Sequence, residues 1–386
     1  AYTVAQTVEL RLASSSATPS MRSGQVLRSS SPQMRHRLAI GAIALIAGAA
    51  AKASKNEPPK ADPMPMPMVA FLSMTAAWIA FIMTGIFTPR YCRVLASRYT
   101  FYAVPFVGSV YLKLAQSAIS SYCEKIQAGE TVCRPAPASL EENPWSDFMS
   151  IVPAALFLAL LLQGLMQYLM SLFNPTKRNI AVSYTVVPCI GVHLFTMVYY
   201  TMEMAEPCVL LSHYGLETRP IHCFMWICSI SAQTITLYGL EIEVLAERDP
   251  LQGSASAKRI SELCIGLLSV QVMCWGGVIT DVVHGWPVVQ GAALLAAMCA
   301  LYLTLPLAAL RPLERCKQKY SKIDHLVVRF SALKSFVVFS WHLFPFVWFL
   351  GYLGLVNSMQ VRLGLLICDV IAKFLPVSLY ISSMTD

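Results

Sequence analysis

Charged residues are scarce in this sequence, and their scarcity indicates which classes of protein are excluded. Only 13% of the 386 residues are Asp, Glu, Lys or Arg, whereas 56% are hydrophobic and the mean hydropathy is +0.56. Soluble domains carry about 25% charged residues. The composition therefore excludes an ordinary soluble domain and predicts an all-α polytopic membrane protein.

Signatures of several soluble functions are also missing. There is no glycine-rich phosphate loop and no hydrolase nucleophile elbow. The cysteines within apolar segments stand singly, without the Cys-x-x-Cys spacing of a metal site. The net charge of +8 comes from residues between the apolar segments rather than from one basic stripe, which argues against a nucleic-acid partner. The chain ends shortly after Lys373, so we expect no fused kinase, cyclase or phosphodiesterase and no enzyme activity.

Seven long apolar segments follow one another from residue 144 to the end and predict a seven-helix transmembrane domain at 144–386. The predicted helices lie near 146–173, 180–202, 219–244, 260–281, 287–310, 328–356 and 362–382. Lysines and arginines concentrate in alternate connections, namely 174–179, 245–259 and 311–327. By the positive-inside rule, the amino end of this domain lies outside and its carboxyl end inside.

The first 67 residues divide into a leader and a linker. Residues 1–55 begin with a basic, hydroxylated stretch in which Glu9 is the only acid, followed by a short apolar run. This pattern predicts a plastid and thylakoid targeting sequence, and the alternative is a tail with one short membrane helix. Residues 56–67 are rich in Pro and Met and are predicted to be a non-helical linker.

Residues 68–143 are predicted to hold one or two additional transmembrane helices. The segment 68–88 is a clear span. The segment 99–122 is interrupted by polar residues and is either a weaker span or a surface helix. Cys123 and Cys133 lie in the loop that follows and form either a disulfide or two free thiols.

The last predicted helix contains one acid and one base within an apolar run of spanning length. Asp369 and Lys373 are separated by one helical turn and lie on the same face. Because a charged side chain inside a bilayer is costly, this pair is a functional-site hypothesis. The alternative is an ion pair that only fixes helix packing.

The preceding helix carries an aromatic face. Trp341, Phe344, Pro345 and Trp348 recur at helical spacing, a pattern that usually indicates core packing. Followed by Asp-x-x-x-Lys in the next helix, however, Trp-x-x-Phe-Pro-x-x-Trp resembles the last two helices of microbial (type I) rhodopsins. Phe344 replaces the tyrosine that is usual in that family.

This resemblance implies a cofactor and the residues that hold it. It implies that all-trans retinal is covalently bound to Lys373 as a Schiff base and that Asp369 is part of its counterion. The four residues of the aromatic face would then surround the polyene. Ala296-Ala297-Met298 and Gly276-Gly277 are similar to family residues near the retinal ring, so Met298 and Gly277 are further candidates. A carotenoid or another pigment is an additional candidate cofactor.

The third helix departs from the family pattern. Arg219 is kept, but His222 stands where the family has an acidic proton acceptor, and Gln233 occupies the usual donor position. Cys223 replaces a tryptophan, although Trp226 could supply the aromatic packing one turn later. Arg219, His222 and Gln233 are the predicted ion pathway. The alternative for His222 is a hydrogen-bonded core histidine.

Three functions are compatible with these observations. The first is a retinal-binding photoreceptor with light-gated or light-driven ion transport but without strong conventional proton pumping. The second is a photosensor that acts on a separate membrane transducer. The third is an accessory subunit of a larger, photosynthetic thylakoid complex, or a homo-oligomer, assembled through the N-terminal helices. We expect an integral protein of the plastid or thylakoid membrane, with the plasma membrane as the alternative.

Overall fold

The computed structural model describes most of the chain after the leader. The described residues are 64–96, 98–126, 133–135, 144–173, 177–204, 208–211, 217–246, 253–283, 286–319, 321–322 and 324–385. The leader predicted at 1–55 and most of the linker predicted at 56–67 lie outside these ranges.

Long α-helices account for almost all of the described chain, so the predicted all-α class is confirmed. They are α1 (Met66–Phe87), α2 (Arg98–Ile126), α3 (Pro144–Phe173), α4 (Lys177–Glu203), α5 (Pro220–Ala246), α6 (Gly253–Val282), α7 (Pro287–Thr304), α8 (Arg311–Lys319), α9 (Asp324–Tyr352) and α10 (Ser358–Thr385). Each apolar segment predicted between residues 68 and 386 is helical over most of its length.

Five described segments are long and apolar enough to cross a membrane. They are Met66–Phe87, Phe148–Met166, Ala257–Val282, Val288–Gln318 and Val327–Tyr352. Helices α4, α5 and α10 are not among them, and these three carry the buried polar residues of the site described below. Helix α2 is not among them either, although its face toward the bundle is apolar, with Leu112 and Ala115 fully buried.

Seven of the helices form a ring, in which residues 305–319 connect α7 to α9. Each helix from α3 to α7 packs against the next, α9 packs against α10, and α10 returns to α3 and α4. The core inside the ring contains fully buried aromatic and aliphatic side chains, among them Phe157, Phe195, Tyr199, Ile221 and Met225. In this order α6 and α10 are not neighbours.

The prediction that a loop begins at residue 311 is wrong. A π-helical segment, Leu305–Leu310, joins α7 directly to α8. Pro306 lacks an N–H group, so a regular α-turn would lose a hydrogen bond at this point, and π turns commonly occur at such irregularities. The Tyr238 hydroxyl donates to the Leu307 carbonyl oxygen at 2.7 Å and stabilises the segment.

Helices α1 and α2 pack against the ring rather than away from it. Helix α1 contacts α6, whereas α2 contacts α4 and α5, and a 3-10 helix at Pro89–Ala96 lies between α1 and α2. A Cβ atom at Gly108 would overlap the Phe195 ring, so glycine permits the close approach of α2 and α4. The predicted end of the linker is wrong, because α1 begins at Met66 and holds Pro67 in its first turn, where no N–H is needed.

A small antiparallel sheet joins two of the connections. Strand β2 (Cys208–Leu211) lies between β1 (Cys133–Pro135) and β3 (Glu217–Thr218). The sequence did not predict this sheet, because strands this short show no hydrophobic alternation. The Glu217 amide donates to the Ser358 hydroxyl at 3.2 Å and ties β3 to the start of α10. The side chains of Cys123 and Cys133 lie outside the described part, so their predicted alternatives are untested.

Candidate functional site

A cavity of about 220 Å³ lies inside the ring of helices. Its wall is built from side chains of α5, α6, α7, α9 and α10, together with a few residues from α3 and α4. Every residue predicted for the site from the sequence lines this cavity, with the exception of Asp369. The fold therefore brings residues from five separate segments to one space.

Asp369 is fully buried, and its carboxylate is surrounded by donors. Lys373 Nζ lies 2.5 Å from Oδ1, and Trp226 Nε1 donates to the same oxygen at 3.1 Å. Tyr200 donates its hydroxyl to Oδ2 at 3.0 Å, and His222 Nε2 lies 2.6 Å from Oδ2. A buried carboxylate is tolerated only when it is paired and hydrogen-bonded, and these four contacts satisfy that requirement.

Three helices bring these groups together by regular spacing. Asp369 and Lys373 are one turn apart on α10, and His222 and Trp226 are one turn apart on α5. The ring of His222 stacks on Tyr199 of α4 with centroids 4.5 Å apart and planes inclined by 16°. This stacking fixes the plane of the imidazole against the carboxylate.

The Lys373 amine has a second partner. Its nitrogen lies 2.9 Å from the thioether sulfur of Met225, while the Thr196 and Ser229 hydroxyls approach the same sulfur at 3.9 and 3.8 Å. Lys373 is only 3% exposed but lines the cavity. Its amine is therefore held at the cavity wall between a carboxylate and a thioether.

The wall next to the amine is aromatic. Trp341, Phe344, Pro345 and Trp348 line the cavity from α9, and the Phe344 ring meets Trp226 edge-on with centroids 4.9 Å apart. This contact places Trp226 in the aromatic packing that Cys223 cannot supply, as considered from the sequence. Of the other two ring candidates, Met298 lines the cavity but is 39% exposed.

Glycine leaves the cavity open on α6. A Cβ atom at Gly277 would meet no atom within 4 Å, so any larger side chain there would project into free space. On α4, Ile190 packs against Leu161 and does not line the cavity.

The outer end of the cavity, by the predicted orientation, is closed by a cluster of ion pairs. Arg219 and Arg362 each lie 3.0 Å from Glu203 Oε1, and Ser150 donates to Oε2 at 3.0 Å. Arg362 also donates to the Ser150 hydroxyl at 2.7 Å. The sequence had indicated only Arg219, because Glu203 and Arg362 stand at predicted helix ends, where charged residues are usually solvated.

The inner half of α5 carries Gln233 and then Glu241. Gln233 lies about 16 Å along the helix axis from His222 and lines the cavity. Glu241 is fully buried and forms ion pairs with Arg259 at 3.0 Å and Arg315 at 2.6 Å. Both arginines had been interpreted only as topology signals.

Two more polar residues at the cavity were not singled out from the sequence. Tyr200 carries no distinguishing signal, because a tyrosine in an apolar helix usually indicates packing. Asp281 stands at the end of a predicted helix and is nevertheless only 9% exposed. It accepts a hydrogen bond from the Thr218 hydroxyl at 3.1 Å and lines the cavity.

Comparisons with known proteins identify the family. The model of the family described as bacteriorhodopsin-like protein matches residues 148–382. No curated protein matches the chain. The solved transmembrane domain of Salpingoeca rosetta rhodopsin phosphodiesterase is similar, with 12% identity over 72% of this chain and 95% of that chain and a TM-score of 0.49. A structure of the same protein's transmembrane domain and linker region shows 14% identity over 73% of this chain and 91% of that chain, with a TM-score of 0.48.

The family match covers more than half of the sequence and includes α3 to α10 with Asp369 and Lys373. The chain is therefore an integral membrane protein that belongs to the bacteriorhodopsin-like protein family.

Proposed function

We propose that this protein is a retinal-binding photoreceptor in which Lys373 holds the chromophore. The observation that carries the proposal is the continuous contact from Lys373 through Asp369 to His222 at the wall of an aromatic cavity. The primary amine of Lys373 can form a C=N bond with the aldehyde carbon of retinal, and the aldehyde oxygen leaves as water. Bound retinal would supply visible absorption and light-driven isomerisation.

The residues present fit such a ligand. The amine stands at one side of the cavity, aromatic side chains of α9 form the wall beside it, and Gly277 leaves space on the far side. An elongated apolar aldehyde needs a reactive nitrogen, flat apolar surfaces and little polar surface along its length. All three are present here.

Asp369 would balance the positive charge at the Lys373 nitrogen. A proton leaving Nζ has Oδ1 of Asp369 as its nearest oxygen, at 2.5 Å. His222 Nε2 contacts the other oxygen, so the imidazole can share a proton with the same carboxylate. The His222 ring would thus take the place of a second carboxylate as an acceptor of the proton that leaves Lys373.

This arrangement supports light-gated or light-driven ion movement without strong sustained proton pumping. Sustained pumping requires capture of the proton on one side and its replacement from the other. On the outer side, Glu203 is already engaged by two arginines, and on the inner side Gln233 carries no transferable proton. The proton is therefore expected to return to Lys373 by the path along which it left.

The chromophore proposal is tested by reconstitution. Purified protein incubated with all-trans retinal should develop a visible absorption band, which hydroxylamine removes in light. Lys373→Ala should develop none, while Lys334→Ala, which changes a half-exposed lysine of α9, should behave as wild type. A wild-type spectrum of free retinal alone contradicts the proposal.

The transport proposal is tested in vesicles. Illuminated vesicles that contain the protein should show a weak or absent pH change. A vigorous and sustained pH change that a protonophore collapses would overturn the roles given to His222 and Gln233. If the protein is coloured but moves no ions, a photosensor with a separate transducer is the function that remains.

The plastid or thylakoid destination is a separate proposal. It comes from residues 1–55, which lie outside the described part. A fluorescent fusion with this leader, compared with a fusion that lacks it, would show whether the leader directs the protein to plastids.

A further inference from the structure

Asp281 is a buried carboxylate that lines the cavity from α6, whereas Lys373 lines it from α10. The Thr218 hydroxyl donates to its Oδ2, and the Trp348 indole is within reach of the same carboxylate. Within the described part of the chain, no lysine, arginine or histidine forms an ion pair with it, whereas Asp369 and Glu203 both have such partners. Asp281 therefore differs from Asp369 and Glu203, the other two buried carboxylates near the cavity.

The two neighbours do not fill the hydrogen-bonding capacity of this group. An ionised carboxylate offers about four acceptor positions, and a protonated one adds a donor. Burial of a carboxyl group without such bonds costs free energy, so a further partner is expected. The carboxyl lines the cavity, so a partner inside the cavity can reach it.

The position of Asp281 matches the far end of a ligand attached to Lys373. Lys373 belongs to α10 and Asp281 to α6, two helices that line the same cavity and are not neighbours in the ring. Gly277 precedes Asp281 by one turn on the same face of α6, and the space in front of its Cα is open. A chromophore that extends from Lys373 past the aromatic wall of α9 would bring its ring to Gly277 and Asp281.

We propose that Asp281 recognises a hydroxyl group on the ring of the chromophore. This inference rests on the proposed attachment of retinal to Lys373. The hydroxyl would donate to the free oxygen of Asp281, while Thr218 holds the other oxygen. An apolar ring would leave this buried carboxyl group unsatisfied. The protein would thus select a ring-hydroxylated retinal over retinal itself, and Asp281 would be the specificity-determining residue.

The proposal is tested by competition between two chromophores. Full-length protein, purified without chromophore, receives a limiting equimolar mixture of all-trans retinal and all-trans 3-hydroxyretinal. The bound retinoids are then released as oximes and quantified. One added hydrogen bond to a buried acid predicts about a tenfold preference for the hydroxylated form. The isosteric Asp281→Leu should capture the two forms equally, and Asp281→Asn should retain part of the preference.

A ligand-side control makes the test independent of variant folding. In 3-methoxyretinal the ring oxygen is kept but cannot donate, so wild-type protein should show no preference for it over retinal. Equal capture of retinal and 3-hydroxyretinal by the wild type would mean that water satisfies Asp281, and the inference would be wrong. A preference that persists in Asp281→Leu or extends to the methoxy form would also overturn it. Failure of every retinoid to form a coloured adduct would instead refute retinal binding itself.

Discussion

Two fully buried carboxylates in this protein are stabilised in different ways. Asp369 contacts Lys373 and His222 and receives hydrogen bonds from two neutral donors, Tyr200 and Trp226. Glu241, at the inner end of α5, contacts two arginines. Lysine and histidine can lose a proton, whereas arginine cannot do so in a protein.

The cluster around Asp369 can exchange protons, whereas the arginines around Glu241 keep their charge. Around Asp369, protons can move between three groups within hydrogen-bonding distance, and the cluster stands at a cavity wall. Around Glu241, the arginine charges are permanent, and the cluster joins α5, α6 and α8. We therefore expect the first cluster to control colour and photochemistry and the second to control stability.

The largest effect is expected from Asp369→Asn. Without the carboxylate, the positive charge at the Lys373 nitrogen loses its nearest balancing charge, so the nitrogen releases its proton more readily. The visible band should be lost near neutral pH and return on acidification, which a spectral titration would record. An unchanged titration would show that Asp369 is not the counterion.

A large effect on stability, without an effect on colour, is expected from Glu241→Gln. Removal of one partner of a buried ion pair typically costs about 3 to 5 kcal/mol, and partial exposure of the arginines places this case at the lower end of that range. Thermal loss of the visible band should occur at lower temperature with the absorption maximum unchanged. Glu314→Gln breaks a half-exposed pair with Lys334 and should cost only about 0.5 kcal/mol. If Glu241→Gln and Glu314→Gln lowered the stability by the same amount, the proposed difference between the buried and the half-exposed ion pair would be wrong.

A small effect is expected from Tyr200→Phe. The variant removes one of the neutral hydrogen bonds to Asp369 and leaves more negative charge for the Lys373 nitrogen. This stabilises the ground state of the chromophore, so the absorption maximum should move to shorter wavelength. Tyr111→Phe removes a hydroxyl that contacts Thr75 and not the site, and its spectrum should match the wild type. A shift to longer wavelength in Tyr200→Phe would contradict this role.

The sequence predicted the parts of the site that carry an unusual signal. An acid and a base within an apolar run stand out in any membrane helix, and so does a proline within an aromatic stripe. Asp369, Lys373 and Pro345 were therefore singled out. Tyr200 and Trp226 were not assigned as partners of Asp369, because the sequence does not show which faces of separate helices meet.

Errors in the predicted elements have local physical causes. The basic segment 311–327 was predicted to be a loop, but the π-helical segment continues directly into α8, and Arg315 consequently lies on a helix. Pro67 suggested a linker but lies in the first turn of α1. The basic residues near 311 were interpreted through membrane topology alone, which concealed their ion pairs with Glu241 and Glu262.

The π-helical segment at Leu305–Leu310 also determines which way the side chains of the following helix point around the helix axis. A π turn takes in about one residue more than an α turn, which rotates every later residue by about 100° around the axis. The apolar run from Val288 to Gln318 is 31 residues long. Its first half can therefore direct one set of side chains toward lipid. Its second half can direct a different face, which includes Arg315, toward the protein. Deletion of one residue from this segment would turn Arg315 away from Glu241 while leaving every residue of α7 in place.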